Sequence, residues 1–344
     1  INTNAYDQAE TLLKQVVEGR RKVLGEKHPD LGLSLNNLGA LYCLRGRYEE
    51  GLALYQQVKS IYQQAWGEQH PAYALSLQNT AEIHSRLNNL KAAEPLFEEA
   101  IRIYRKSLGA NHPDLATPLL GLANLQSRMG NFSKAEILLD SSNRIVMRHM
   151  QQNFIHLGEE EKMQWWEEEA TRYQMAPSLL LSNPNPSGWF LQQTFIQQVQ
   201  LKGYILNDGK KILEQVRRKG SPALQKILAE WQSNKATLAR QYSLPIGKRV
   251  LRLDSIEKRT LDLEKIINQQ SSLFKTGNIE ARYSAEKIRK ALQPGEAAIE
   301  FVRFAYFNKT WTDSVLYGAF VLLAGSEKPV FILLCEEKEL ARLL

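Results

Sequence analysis

The sequence predicts a mainly α-helical chain in three parts. These are a solenoid of repeated helix pairs over residues 1–155, a helical linker with an antiparallel coiled-coil hairpin over 156–290, and the first strands of a sheet over 291–344. Three observations predict it. The pattern Gly-x-x-His-Pro occurs three times, setting His28, His70 and His112 at intervals of 42 residues, and a fixed period of that length marks stacked helical repeats. Two long runs of apolar residues at alternating spacings of four and three flank a break at Pro245 and Gly247, as paired helices require. After Ala297 the pattern changes to short apolar and aromatic runs separated by turn residues, which is how strands read.

A shift of 42 residues aligns far more than the histidines. Leu35, Leu77 and Leu119 coincide, followed by the small residues Gly39, Ala81 and Ala123. Next come Tyr48, Leu90 and Phe132, then Gly51, Ala93 and Ala135, then Leu54, Leu96 and Leu138. Tyr6, Ala9 and Leu12 fall in the same register, adding a half unit ahead of the three full ones. Leu35, Leu38 and Tyr42 recur at helical spacing, as do Tyr48, Gly51, Leu52 and Tyr55, so each unit is two amphipathic helices. Gly46, Asn88 and Gly130 mark the turn within each unit, and the small residues allow the paired helices to approach closely.

Within the Gly-x-x-His-Pro element, Gly25, Gly67 and Gly109 suit the left-handed position that ends a helix. Pro29, Pro71 and Pro113 suit the first turn of the next, where no N–H is needed. The histidine between them is expected to be a cap or turn residue. A shared metal site is disfavoured, since stacked helices lie about 8–10 Å apart while zinc bonds are about 2 Å.

Leu24-Gly25-Glu26-Lys27-His28-Pro29-Asp30, Ser34-Leu35-Asn36-Asn37-Leu38-Gly39 and Arg45-Gly46-Arg47-Tyr48-Glu49-Glu50 resemble the tetratricopeptide repeats of the kinesin light chain type. That resemblance implies an α-solenoid whose first helices line a groove for a protein or peptide, as repeat arrays build extended concave surfaces. Carried across by alignment, the inward polar positions are Asn36, Asn37, Gln78, Asn79 and Asn124, with Arg86 and Arg128. Amides can bond an extended peptide backbone through donor and acceptor, and the two arginines, 42 residues apart, can pair with carboxylates. In the third unit Leu120 and Gly121 replace the asparagine pair, so the groove should become more apolar there.

In the middle segment, Glu159-Glu160-Glu161-Lys162 opens a helix with carboxylates at the positive end of its dipole. The adjacent Trp165 and Trp166 are expected to pack against two neighbours, since they cannot share one face. Ser182-Asn183-Pro184-Asn185-Pro186-Ser187-Gly188 is a loop. Phe195, Val199, Lys202 and Leu206 predict a further helix. The hairpin follows, with Leu224, Leu228, Trp231, Lys235, Leu238 and Tyr242 on one arm and Leu253, Ile256, Thr260, Leu263, Ile267, Gln270 and Phe274 on the other. Residues 191–290 carry 20 basic and 9 acidic side chains, so the chain's net charge of +7 belongs mostly to this segment. Arg217, Arg218, Lys219, Lys248 and Arg249 sit near the hairpin's base and tip. They offer a nucleic-acid reading, although no RNA-binding aromatic motif accompanies them.

Strands are expected at Ala297 to Phe307, Leu316 to Leu323 and Val330 to Leu334, with turns at Asn308–Asp313 and Gly325–Lys328. Leu292-Gln293-Pro294-Gly295-Glu296-Ala297-Ala298-Ile299-Glu300-Phe301, Tyr317-Gly318-Ala319-Phe320-Val321 and Pro329-Val330-Phe331-Ile332-Leu333-Leu334 resemble the opening of a CHAT domain, the α/β caspase-like fold found behind tetratricopeptide repeats in bacteria. Lys202-Gly203 and the hairpin resemble the helical region that precedes such domains. The resemblance implies a bacterial scaffold regulating a cysteine peptidase whose catalytic histidine and cysteine lie downstream of these strands. Neither motif is present here, so no catalytic residue is assigned. Cys335 lies beside Glu336 and Glu337, which disfavour a thiolate. A non-enzymatic repeat adaptor is the alternative reading.

Composition excludes other classes. With 43% hydrophobic and 24% charged residues the chain is an ordinary globular one. Its longest apolar run, Val315 to Gly325, is too short to cross a bilayer. Two cysteines make no disulfide framework and point to a reducing cytoplasm. There is no Walker loop, His-Glu-x-x-His or Gly-x-Ser-x-Gly, and no cofactor or metal is expected. Both ends read as cut, so a fragment is expected.

Overall fold

The computed structural model describes residues 3–153, 159–242, 253–272, 284–308 and 310–342. It separates into two compact units, Ile1–Val146 and Met147–Leu344.

The first unit is a row of antiparallel helix pairs. α1 (Thr3–Leu24) precedes α2 (Pro29–Leu44) and α3 (Tyr48–Trp66), α4 (Pro71–Arg86) and α5 (Leu90–Leu108), then α6 (Ala116–Arg128) and α7 (Phe132–Asn153). A 3-10 turn at Pro113–Leu115 leads into α6. The glycines end the helices as expected: Gly25, Gly67 and Gly109 have φ of 85°, 81° and 93°, a conformation that costs glycine little. His28, His70 and His112 are N-caps. Each imidazole Nδ1 accepts the backbone N–H two residues on, at 3.2, 3.1 and 3.3 Å, satisfying one of the unpaired donors at a helix start.

Close helix approach has a specific cause. A Cβ at Gly32 would lie 2.6 Å from the Tyr62 ring, one at Gly39 would lie 3.0 Å from Tyr55, and one at Gly121 would lie 2.6 Å from Phe97. Leu35, Leu77 and Leu119 are all buried between the helices, each contributing about 1.5–3 kcal/mol by leaving water. α1 is held differently. Among its described side chains only Glu10 and Val17 are buried, while Leu12, Val16 and Val23 are exposed. Glu10 meets Lys14 at 2.7 Å, Arg45 at 2.7 Å and Arg47 at 2.8 Å, and Arg20 donates to Asp30 O and Ser34 Oγ at 2.7 and 2.8 Å.

The second unit joins helices to a sheet. α8 (Glu159–Ser182) and α9 (Gly188–Lys219) are separated by the expected Asn-Pro loop, with Ser187 Oγ capping α9 by accepting from Phe190 N. α10 (Pro222–Tyr242) and α11 (Leu253–Ser272) form the antiparallel hairpin. Leu224, Leu228 and Ile267 bury its seam together with Val216 of α9, and Leu238, Thr260 and Leu263 are buried as the heptads require. Arg259 grips Glu230 with two nitrogens at 2.8 and 3.1 Å. Pro245, Gly247 and Phe274 lie outside the described residues, as do the side chains of Trp166 and Leu206.

After α12 (Ala285–Ala291), β1 (Ala297–Asn308), β2 (Thr310–Leu323) and β3 (Val330–Glu336) form an antiparallel meander in the order β1-β2-β3, followed by α13 (Glu337–Leu340). The expected turn over Asn308–Asp313 is mostly strand. Phe307 pairs with Trp311 and Asn308 with Thr310, because Thr310, Trp311 and Thr312 favour extended backbone and pairing outweighs their polarity. A bulge lies between Ala305 and Phe307, and α8 satisfies its backbone. Ala305 N donates to Gln174 Oε1 at 3.1 Å, Phe307 N donates to Ser178 Oγ at 3.2 Å, and Ser178 Oγ donates to Ala305 O at 3.3 Å. Lys202 of α9 pairs with Glu300 and donates to Phe301 O at 2.6 Å. These contacts join α8 and α9 to the sheet.

Phe304, Phe320 and Leu322 are buried on the helix side of the sheet, with Phe320 against Phe195 of α9. On the other face Ile299, Phe301, Leu323, Val330 and Ile332 are exposed. No described helix is long and apolar enough to cross a membrane.

Candidate functional site

The first helices of the three full units, α2, α4 and α6, carry every groove position expected from the sequence. Equal register puts Asn37 beside Asn79 and Gly121, and Arg86 beside Arg128. Asn37 is exposed, and Asn36, Gln78, Asn79 and Asn124 are half-buried. The structure adds bonds that the sequence did not foretell. Asn79 Nδ2 donates to Asn36 Oδ1 at 2.8 Å, so those two amides join neighbouring units and keep only part of their capacity for a ligand. Arg86 is exposed and bonds Glu82 Oε1 at 2.9 Å one turn earlier.

Arg128 is a strut between units. Its Nη1 donates to Ser85 O and Oγ at 2.8 and 3.0 Å, and its Nη2 to Asn88 Oδ1 at 3.0 Å. Asn88 occupies the turn between α4 and α5 with φ 62°, where the other units use glycine, and the guanidinium fixes it. Burial draws the Arg128 pKa below the usual arginine value, with Glu82 opposing. Asn124 Oδ1 and Arg128 Nε are buried and make no hydrogen bond with described residues. Such atoms call for a partner.

Gln78 also lines a cavity of about 300 Å³ with Pro71, Ala72, Leu75, Tyr104, Asp114 and Thr117. Pro71, Ala72 and Leu75 are its apolar lining residues, and Gln78, Tyr104, Asp114 and Thr117 are those that carry polar side-chain groups. Burial pushes the Tyr104 phenol up, with Asp114 adding to the effect. Leu75, Asp114 and Thr117 are missing from the sequence-based set. Continuing the stripe Gln78–Asn79 one turn toward the start of α4 reaches Leu75, whose partner 42 residues on is Thr117; that step was available from periodicity. Tyr104, from a second helix, was not.

Elsewhere, Arg217 and Arg218 are exposed at the end of α9, whereas the Lys219 side chain, Lys248 and Arg249 lie outside the described residues. Among the described residues no group of three or more His, Cys, Asp or Glu side chains could hold a metal ion. Cys335 is half-buried in β3 opposite Tyr317. The neighbouring Glu337 is held by Arg303 through two bonds of 2.8 and 3.1 Å and accepts from Tyr317 at 3.1 Å, and Arg303 lowers its pKa.

One tetratricopeptide-repeat model matches residues 30–106 and 91–145, and a second model of the same description matches residues 1–30. Residues 1–145 are thus tetratricopeptide repeats, a scaffold type that works by holding other proteins. No curated protein matches the chain significantly. Similar solved structures include BtubC (BKLC) from P. vanneervenii, at 18% identity over 58% of this chain and 73% of that one, with a TM-score of 0.44. A kinesin-light-chain-type protein of Podosopora anserina, built from nearly identical TPR-like repeats, matches at 24% identity over 58% of this chain and 89% of that one, TM-score 0.40. A single-substitution variant of it matches at 20% identity over 64% and 91%, TM-score 0.43.

Proposed function

We propose that the face formed by α2, α4 and α6 binds an extended segment of a partner protein. The observation that carries this reading is the polar row of Asn37, Gln78, Asn79 and Asn124 on the three first helices, in which Gln78 lines a cavity of about 300 Å³ and Asn124 Oδ1 is buried with no hydrogen-bond partner among the described residues. Amide side chains serve an extended backbone well because each offers both a donor and an acceptor. Leu75 and Pro71 supply an apolar wall for one side chain, and Arg86 stands at the far end of the row for a carboxylate. Arg128 contributes chiefly by holding the row in shape. The test is partner recovery by pull-down, comparing the wild-type chain with one carrying Asn37→Ala, Gln78→Ala and Asn79→Ala. Recovery should fall about tenfold or more; undiminished recovery refutes the site.

The second unit extends the proposal. Its helical region followed by an antiparallel meander resembles the entry to a CHAT domain, and the uncovered face of Ile299, Phe301 and Ile332 supports a layered α/β domain, in which both faces of a sheet are covered. In this reading the chain is the scaffold and regulatory region of a bacterial, cytoplasmic protein with a caspase-like peptidase. The coding sequence beyond Leu344 would then specify a histidine and a cysteine after further strand-like segments. A reading frame without them refutes the peptidase part and leaves a repeat adaptor.

A further inference from the structure

A second cavity, of about 550 Å³, lies in the same array, with its rim on α5 and α7 and part of its floor on α6. Its floor is aliphatic: Ile101 and Leu122 are 5% and 2% exposed, and Leu138 is half-buried. Its rim is mostly cationic, with Arg102, Arg105, Lys106 and Lys134 set against one carboxylate, Glu98, all exposed, and Arg102 is held by Glu99 at 2.6 and 2.7 Å. Lys134 is engaged by Glu94 and Glu98 at 3.0 Å each. Arg105 and Lys106 make no side-chain bond to a described residue, so they are the cations available to a ligand.

The repeat supplies an internal control. One unit earlier, 42 residues back, the positions of Arg105, Lys106 and Lys134 hold Gln63, Gln64 and Ala92, and that of Ile101 holds Lys59. The solenoid therefore does not require this combination, since the same architecture is built without it in the preceding unit. An apolar floor beside two cations that bond no described side chain, a combination absent from the preceding unit, is a feature of recognition.

We propose that this cavity is a second docking surface, which takes an acidic segment of a partner protein in which one apolar side chain is flanked by carboxylates. The apolar side chain seats on Ile101, Leu122 and Leu138, and the carboxylates meet Arg105 and Lys106, the former in a two-pronged bond. A nucleic acid fits less well, because the lining holds no aromatic ring on which a base could stack and a phosphate backbone has nothing to place on the floor. A lipid surface fits less well because the aliphatic residues are recessed.

The test uses the full chain and a short fluorescein-labelled peptide with one leucine between paired glutamates, read by anisotropy. Binding should weaken about tenfold or more with Arg105→Glu/Lys106→Glu, and by a similar factor when the peptide's leucine becomes glycine. It should fall as salt rises and be unaffected by Asn79→Ala, which separates this surface from the α2–α4–α6 face. Both rim residues are exposed, so the reversal leaves the core intact. No binding of the peptide, equal binding by the charge-reversed chain, or indifference to loss of the leucine overturns the proposal. So does tighter binding, lost in the same variant, of oligo-thymidine or of phosphatidylserine vesicles.

Discussion

Glu10→Gln should loosen α1 at neutral pH and do nothing in acid. α1 buries one apolar side chain, Val17, among its described residues, so the carboxylate of Glu10 is a large part of what fixes it. That side chain is 12% exposed and lies against Lys14, Arg45 and Arg47. The hydrogen bond from Lys14, opposed by burial and reinforced by Arg47, lowers its pKa from 4.5 to about 2. At about 1.36 kcal/mol per unit this shift corresponds to roughly 3.4 kcal/mol as an upper bound. Lys14 is 55% exposed and the arginines about a third, so solvent screening reduces the expected effect to about 1–2 kcal/mol. A carboxyl depressed by folding contributes fully above its unfolded pKa and loses that contribution as pH falls toward the folded one. The gap between wild type and variant should therefore be complete above about pH 4.5 and close as pH approaches 2. Amide exchange of α1 in the full chain, corrected for intrinsic rates, measures local opening, and opening at neutral pH should rise about 5- to 30-fold in the variant. Equal protection at neutral pH, or a gap that persists unchanged at low pH, refutes the reasoning.

His28→Ala should destabilise α2 by about 1 kcal/mol through loss of the cap, while His28→Asn retains most of it; amide exchange at the start of α2 distinguishes them. Gly121→Ala drives a Cβ to 2.6 Å from the Phe97 ring and should cost about 1–3 kcal/mol of overpacking, seen as a lower Tm. Adding Phe97→Leu should recover part of the loss, and a simple sum of the two single effects argues against the contact. Arg128→Lys should behave almost like Arg128→Ala, since an ammonium cannot reproduce the fork to Ser85 and Asn88; faster exchange at the α4–α5 turn in both variants is the expected signature.

The 42-residue step by itself determined the helix pairs, their caps and their turns, because each depends on a local backbone rule. Glycine at positive φ, proline at a first turn and an imidazole over a free N–H leave marks in a few consecutive residues. The heptads determined the hairpin for the same reason, and turn residues located the strands to within a few positions. What tertiary structure decided involves partners far apart in sequence. Asn36 and Asn79 were both expected on the binding face, yet nothing in their periodicity says that they bond each other, and Arg128 looks like Arg86 until Ser85 and Asn88 come within reach. The wall of the first cavity required Tyr104 from a second helix, and the cationic rim between α5 and α7 required two helices to lie side by side. Strand pairing likewise turned Thr310–Thr312 from turn into sheet, and the bulge at Ala305 was settled by Gln174 and Ser178 more than a hundred residues away. Local geometry is written in neighbouring residues; the satisfaction of polar groups depends on which surfaces meet.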